Sequence, residues 1–357
     1  MKTILVTGAV SLLLALFGTP LVINVLRRQG YGQPIRVEGP KSHETKRGTP
    51  TMGGAAMVLA AVVGYLVGHA TTHDPMSASG LLILFLMVGL GLVGFIDDFI
   101  KIYRQTSVGL RSGAKLAGQI VVGAVFALEV LQHPDGYDLT PADAHLSFLR
   151  DFGPALGTLP FVIWVIIMIA GFSNAVNLSD GLDGLATGAT VLVLAAYVLI
   201  GIWQERNDCT TFLSHQCYQI RDPLDLAVVA AAVLGACFGF IWWNAPPAKI
   251  IMGDTGSLAL GGVLAGLAVC TKTQLLLIIL GGLFTIITLS VFIQVSVFKV
   301  TKLRTGRGIR VFRMSPLHHH FEMLGWAETT IVIRFWLICG LCIAMGLGIF
   351  YAEWLTI

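Results

Sequence analysis

Long apolar runs alternate with short polar segments along this chain. Ten runs stand out: Ile4–Leu26, Met52–Ala70, Leu81–Ile96, Leu116–Leu131, Leu156–Phe172, Leu185–Trp203, Leu224–Trp242, Leu258–Cys270, Leu275–Val300 and Thr330–Tyr351. A helix rises about 1.5 Å per residue, so about 20 apolar residues cross the roughly 30 Å hydrocarbon layer of a membrane. The pattern therefore predicts an all-α, polytopic integral membrane protein with ten transmembrane helices, forming a single transmembrane domain over residues 1–357. The Gly-rich eighth run is the shortest of the ten. The first run has neither a basic n-region nor a small-residue cleavage site, so it reads as a retained span rather than a signal peptide. Between the fourth and fifth runs, Gln132–Pro154 is too polar to cross and carries the turn signal Pro134-Asp135-Gly136, which predicts a short hairpin.

Composition sharpens this picture. Hydrophobic residues make up 55% of the chain and charged residues 12%, too little charge to cover a soluble fold of this length. Of the 23 Lys and Arg, eighteen fall in or beside the segments that follow the odd-numbered spans, and the other five are Lys2, Arg150, Arg206, Arg221 and Lys272. The positive-inside rule then places the eighteen-charge side in the cytoplasm and both termini outside. Cys237, Cys270, Cys339 and Cys342 lie in apolar runs and read as packing residues. Cys209 and Cys217 share the outside loop after span six, where a disulfide or two free thiols are both compatible with the sequence.

The parity of the spans gathers the candidate chemistry on one face. Asp97-Asp98 end span three, Asp180 and Asp183 follow span five, and Asn244 and Asp254 follow span seven. Lys46, Thr49 and Thr51 precede span two, and His318-His319-His320 follow span nine. All of these face the cytoplasm if the orientation holds. Asn174, Asn177, Asp180 and Asp183 recur every three residues, so on a helix much of this set would share a face. Two Asp-Gly pairs equally suit a break, leaving a polar turn between helices.

Adjacent carboxylates at a span end read either as a solvated terminus or as a cation site. Hard oxygen ligands suit Mg²⁺, which takes one or two carboxylates together with substrate phosphates. Met252–Ser257 adds Asp254 in a Gly-bounded loop, whose amides could also meet a phosphate at the start of a helix. Lys46–Thr51 reads as ordinary inside charge or as phosphate contacts. The three histidines cannot all face one way on a helix; they read as solvated loop, substrate contacts or a metal site. Arg304, Arg307, Arg310 and Arg313 suit an anionic nucleotide or lipid head group as well as plain surface charge. Acidic groups for a metal and basic groups for phosphate, at a membrane, point to a reaction between a phosphorylated lipid and a soluble phosphorylated donor.

In that order, Lys46–Gly54, Gly94–Asp98, Gly109–Gln119, Asn174–Leu185, Trp242–Ser257 and Ser315–Glu322 resemble the motifs of the phospho-N-acetylmuramoyl-pentapeptide transferase family, part of the polyprenyl-phosphate N-acetylhexosamine-1-phosphate transferase superfamily. The resemblance covers nearly the whole chain, which it marks as a single catalytic domain. It implies transfer of phospho-N-acetylmuramoyl-pentapeptide from UDP-N-acetylmuramoyl-pentapeptide to undecaprenyl phosphate, with Mg²⁺, at the cytoplasmic face of the cell's inner membrane. The products would be a lipid-linked peptidoglycan intermediate and UMP. It implies catalytic roles for Asp97, Asp98, Asp254 and His318, with Asp254 as the metal ligand. It implies substrate contacts from Lys46, Thr51, Lys115, Asn174, Asn177, Asp180, Asp183, Asn244, His319 and His320. A homodimer is compatible with the family, membrane lipid is an expected partner, and nucleic acid is not. One position departs from the family pattern: Ile251 stands before Met252 where an aromatic residue is expected. Two rival readings stay open here, a transferase of another hexosamine phosphate and a secondary transporter with intramembrane carboxylates.

Overall fold

A computed structural model describes residues 1–28, 48–104, 106, 109–209 and 217–355. Ten of its helices are long and apolar enough to cross a membrane. In chain order the elements are α1 (Lys2–Arg28), α2 (Gly54–Thr72), α3 (Ala78–Tyr103), α4 (Ser112–Glu129), β1 (Leu146–Ser147), β2 (Asp151–Phe152), α5 (Thr158–Ser179), α6 (Leu185–Arg206), α7 (Pro223–Asn244), α8 (Gly253–Cys270), α9 (Leu276–Leu280), α10 (Gly282–Thr305), α11 (Leu317–Glu322) and α12 (Glu328–Leu355).

Helix α8 is the axis of the bundle. Every residue from Thr255 to Cys270 is buried. Its Gly, Ala and Ser positions let neighbouring backbones approach closely, which drives helix packing where lipid supplies no hydrophobic contrast. α3 and α5 pack along it, and α2 joins them. α7 packs against α1 and α6 to build the other half of the bundle. The outer helices turn large apolar side chains outward, such as Leu5, Phe17 and Leu21 on α1 and Leu337 and Leu341 on α12. In a bilayer these faces meet lipid.

Two expected spans have other bounds, and one open alternative is decided. The eighth span is not the short run Leu258–Cys270: α8 starts at Gly253, so the predicted loop Met252–Ser257 is mostly the first turn of a helix. The ninth span, Leu275–Val300, is divided between α9 and α10. Gly281 N closes on Leu277 O at 2.7 Å, and the chain re-enters a new helix at Gly282. Of the two readings of Asn174–Leu185, the break at the Asp-Gly pairs is the one observed, because α5 stops at Ser179. A five-residue turn follows, ended by Gly184 at φ +75°, a backbone angle that a side-chain-bearing residue adopts only with strain.

The expected hairpin is the β1–β2 pair, Leu146 opposite Phe152 and Ser147 opposite Asp151. It is pinned by Lys272, whose ammonium reaches Asp143 and Asp151. Burial works against that charge, but the two carboxylates hold its pKa above the ordinary lysine value. Cys209 and Cys217 form a disulfide. At the same end of the bundle Asp225 Oδ2 accepts from Tyr65 Oη at 2.8 Å and from Ser77 N at 3.0 Å. Its Oδ1 lies 2.9 Å from His69 Nε2, so one carboxylate joins α2, the α2–α3 connection and α7.

Candidate active site

The opposite end of the bundle collects the polar motifs. Alternation of the helices puts the end of α3, the starts of α4 and α8 and the end of α5 side by side. α3 approaches the start of α8 at Gly94, where a Cβ would fall 2.1 Å from Asp254 O. Only glycine lets the two backbones come this near. Pro50–Gly54 is laced to Ile251–Met252 by Ile251 N to Pro50 O (2.8 Å), Gly53 N to Ile251 O (2.9 Å) and Gly54 N to Met252 O (2.9 Å).

Asp97, Asp98 and Asp254 converge, each offering an oxygen within 4.8 Å of the others. Lys101, one turn further along α3, extends its ammonium among them. Its Nζ lies 2.5 Å from Asp97, 2.9 Å from Asp254 and 3.7 Å from Asp98. Lys115, from the first turn of α4, reaches the same Asp254 Oδ2 at 2.8 Å. On the other oxygen of Asp254, Asn177 Nδ2 donates at 2.5 Å and also reaches Ser257 Oγ at 2.8 Å. Asp97 is further held by Leu110 N, 2.7 Å from Oδ1, which folds the Gly109–Leu110 segment over it.

Asp98 is used differently. Its Oδ1 accepts from Asp254 N at 3.2 Å; its Oδ2 accepts from Thr255 N at 2.9 Å and Thr255 Oγ1 at 2.8 Å. Asp180 Oδ2 accepts from Gly253 N at 3.2 Å. Two carboxylates, one on α3 and one in the turn after α5, thus cap the first turn of α8, a favourable pairing because the amide end of a helix carries partial positive charge. The expectation that these amides meet a phosphate is corrected: the N–H groups of residues 253–255 already have protein partners. Burial, reinforced by the nearby Asp254 carboxylate, pushes the Asp180 carboxyl well above the usual carboxylate range.

The remaining sequence candidates take other places. Thr51 is buried near Asp98, with its Oγ1 3.1 Å from where a Cβ on Gly253 would sit. Asn174 is one turn before Asn177 and bonds Gln119 Oε1 at 3.1 Å and Ala170 O at 2.7 Å. Asn244 is buried among Thr187 (2.9 Å) and Ile250 O (3.0 Å), shaping the α7–α8 connection. Asp183 receives Ala248 N at 2.9 Å, and its own N donates to Glu328 at 2.8 Å. It lines a cavity of about 330 Å³ with Thr49, Pro246, Pro247, Ala248 and Glu328.

His318 is buried against Gly181, where a Cβ would stand 2.2 Å from its Nε2. His319 stacks edge-on with His318 and pairs with Glu322 at 2.5 Å. His320 turns away and accepts from Arg313 N at 3.1 Å. The expected divergence of the three rings is therefore real. Lys46 lies outside the described residues.

Lys101 is the member that motif reading passed over, being counted only as loop charge. Its spacing held the signal: four residues after Asp97 and three after Asp98, the positions that meet on one helix face.

The chain matches the model of glycosyl transferase family 4 over residues 80–272, more than half of its length. It is 58% identical over 355 residues to the phospho-N-acetylmuramoyl-pentapeptide-transferase of Thermobifida fusca, covering 99% of each chain. It is 59% identical over 369 residues to the enzyme of that name from Kineococcus radiotolerans, covering 100% of this chain and 99% of the relative. With the Streptomyces griseus protein of the same name it shares 57% identity over 358 residues, 99% of each. With similarity that runs from end to end and a family match whose range spans both halves of the carboxylate cluster, the chain belongs to glycosyl transferase family 4 and, within it, to the phospho-N-acetylmuramoyl-pentapeptide transferases.

Proposed function

We propose that the chain moves phospho-N-acetylmuramoyl-pentapeptide from UDP-N-acetylmuramoyl-pentapeptide to undecaprenyl phosphate, releasing UMP, and that Asp254 holds Mg²⁺ for this reaction. The observation that carries the reading is the convergence of three carboxylates with two lysines on Asp254. The donor set fits Mg²⁺ on two grounds: its ligands are all hard oxygens, and a cation, the Lys101 ammonium, already sits among them. When bound, Mg²⁺ offsets charge on the diphosphate and on the departing UMP.

The side chains divide the remaining work. Lys101 and Lys115 attract phosphate oxygens to the carboxylate end of α3. Asn177 holds Asp254 through its Nδ2, so the carboxylate keeps one orientation. Asp97 receives the proton of the lipid phosphate; the second pKa of such a group is near 6, so this role is small at neutral pH and mostly one of positioning. Asp98 acts through α8, aiming Asp254 by capping its helix. The eighteen basic residues on this side support a site at the cytoplasmic face of the cell membrane, with both termini outside.

The test is direct. Purified protein with both substrates and Mg²⁺ should release UMP and form the lipid-linked product in equal amounts. Absence of product with this donor, but transfer from a UDP-hexosamine, would sink the donor assignment. Ion or solute flux into proteoliposomes without UMP release would favour a transporter.

Asp98→Asn separates the capping role from metal binding. An amide still accepts one α8 donor but turns its NH₂ toward another, so Asp254 loses its aim. The expected outcome is a roughly tenfold higher Mg²⁺ requirement at a maximal rate within a few-fold of wild type, on the scale of lost supporting contacts at metal sites. A maximal rate as low as that of Asp254→Asn would instead make Asp98 a direct ligand.

A further inference from the structure

The proposed reaction leaves the far end of α10 unused. No residue of α10 after Gln294 is buried, so the helix leaves the bundle there and runs on to Thr305. Eleven residues at 1.5 Å each carry it about 16 Å further. The chain then folds back along the same helix. Ile309 N meets Thr301 Oγ1 at 2.9 Å, and Val311 N and Phe312 N both donate to Gln294 Oε1, at 3.0 and 2.9 Å. Gln294 Nε2 returns a bond to Phe312 O at 3.2 Å. The result is a helix-and-strap projection held by its own hydrogen bonds.

Its surface has two properties at once. Lys299, Lys302, Arg304, Arg307 and Arg310 are all exposed, and no acidic residue occurs between Asp254 and Glu322. Among the described residues none of these five has an ion-pair partner. Between them stand large exposed apolar side chains: Leu303 at 86% exposure, Ile309 at 58%, Val311 at 49% and Val300 at 45%. Water would suit the cations and penalise the apolar residues; the hydrocarbon layer would do the reverse. A free nucleotide or an acidic peptide pairs with the arginines but leaves Leu303 and Ile309 uncovered. The head-group zone of an anionic leaflet satisfies both, because long basic side chains can bury their stems and lift their charges to lipid phosphates.

We propose that residues 295–313 form an interfacial anchor that binds anionic phospholipid head groups, separate from the acceptor-lipid site. The anchor fixes the tilt of α10, which carries Ser290, the residue whose Oγ accepts from Leu317 N at 3.0 Å next to the histidine helix.

The test titrates the purified full-length protein in detergent with phosphatidylglycerol or phosphatidylcholine and counts bound lipid by native mass spectrometry. Wild type should prefer phosphatidylglycerol. Each basic residue is worth about fivefold in anionic-surface affinity, so combined Arg304→Gln, Arg307→Gln and Arg310→Gln should weaken phosphatidylglycerol by about a hundredfold and leave phosphatidylcholine unchanged. Leu303→Ser with Ile309→Ser should weaken both lipids. If the triple variant melts earlier than wild type, Arg304→Gln alone is read the same way, with a fivefold loss expected. Equal affinity of wild type for the two lipids, or undiminished phosphatidylglycerol binding by the variants, overturns the proposal. So does displacement of phosphatidylglycerol by UDP, which would make this a nucleotide surface, or by equimolar undecaprenyl phosphate, which would make it the acceptor site.

Discussion

Asp254→Asn should lower transfer by at least about a thousandfold while the protein stays folded. Preorganised electrostatic groups cost about 10²–10³ each when removed, and Asp254 does more than one job. Lys101 and Lys115 both rest on its Oδ2, and Asn177 donates to its Oδ1. An amide carries an NH₂ in place of one oxygen, so it confronts either two ammonium groups or another NH₂. The same substitution removes the negative charge that a divalent cation would need most. Two measurements check this: UMP release, and Mn²⁺ binding followed by electron paramagnetic resonance. Loss of activity with unchanged Mn²⁺ binding would remove Asp254 from the metal-ligand set. Retained activity would remove it from the reaction.

Gly94→Ala should cost about 1–3 kcal/mol of stability, the usual penalty for overpacking, and about a hundredfold in activity. A Cβ there would sit 2.1 Å from Asp254 O and 2.6 Å from Thr255 N. Both are backbone atoms at a helix start, so relief requires α3 and α8 to separate. That movement pulls Asp98 from its caps and shifts Asp97 relative to Asp254, and a misplacement of about 1 Å can cost this much rate. Gly113→Ala is the control, because nothing lies within 4 Å of a Cβ at that position. It should melt and turn over like wild type. Melting in detergent and the UMP assay read both effects; a fully active Gly94→Ala would show that the α3–α8 approach does not set the site.

Much of the candidate site was legible in one dimension. Asp97, Asp98 and Asp254 stood out as carboxylates at span ends, and span parity put them at the same end of the bundle although Asp98 and Asp254 are 156 positions apart. Asn177 stood out in the three-residue recurrence and Lys115 came from the family motifs, and both meet Asp254 directly. What was not legible was the use of each group. Asp98 looks like Asp97 in sequence, yet its oxygens are taken up by α8. Asp183 and Asn244 read like Asn177, yet their hydrogen bonds shape the turn and the α7–α8 connection. Lys101 looked like ordinary inside charge because nothing in its neighbourhood announced Asp254. The division of the ninth run at Gly281 was hidden for a related reason: hydropathy records how apolar a stretch is and is blind to a break between helices within it.

The sequence by itself determined the class of molecule, the number of spans and the end at which the chemistry gathers. Apolar length and basic-charge asymmetry are local properties that a bilayer reads directly. The tertiary structure alone decided which carboxylates meet, which lysines neutralise them and which amides are already paired. Those outcomes depend on close approach between backbones from distant parts of the chain, set by small residues such as Gly94 against a buried α8. Close approach there leaves Asp98 capping α8 while Asp254 meets the two lysines.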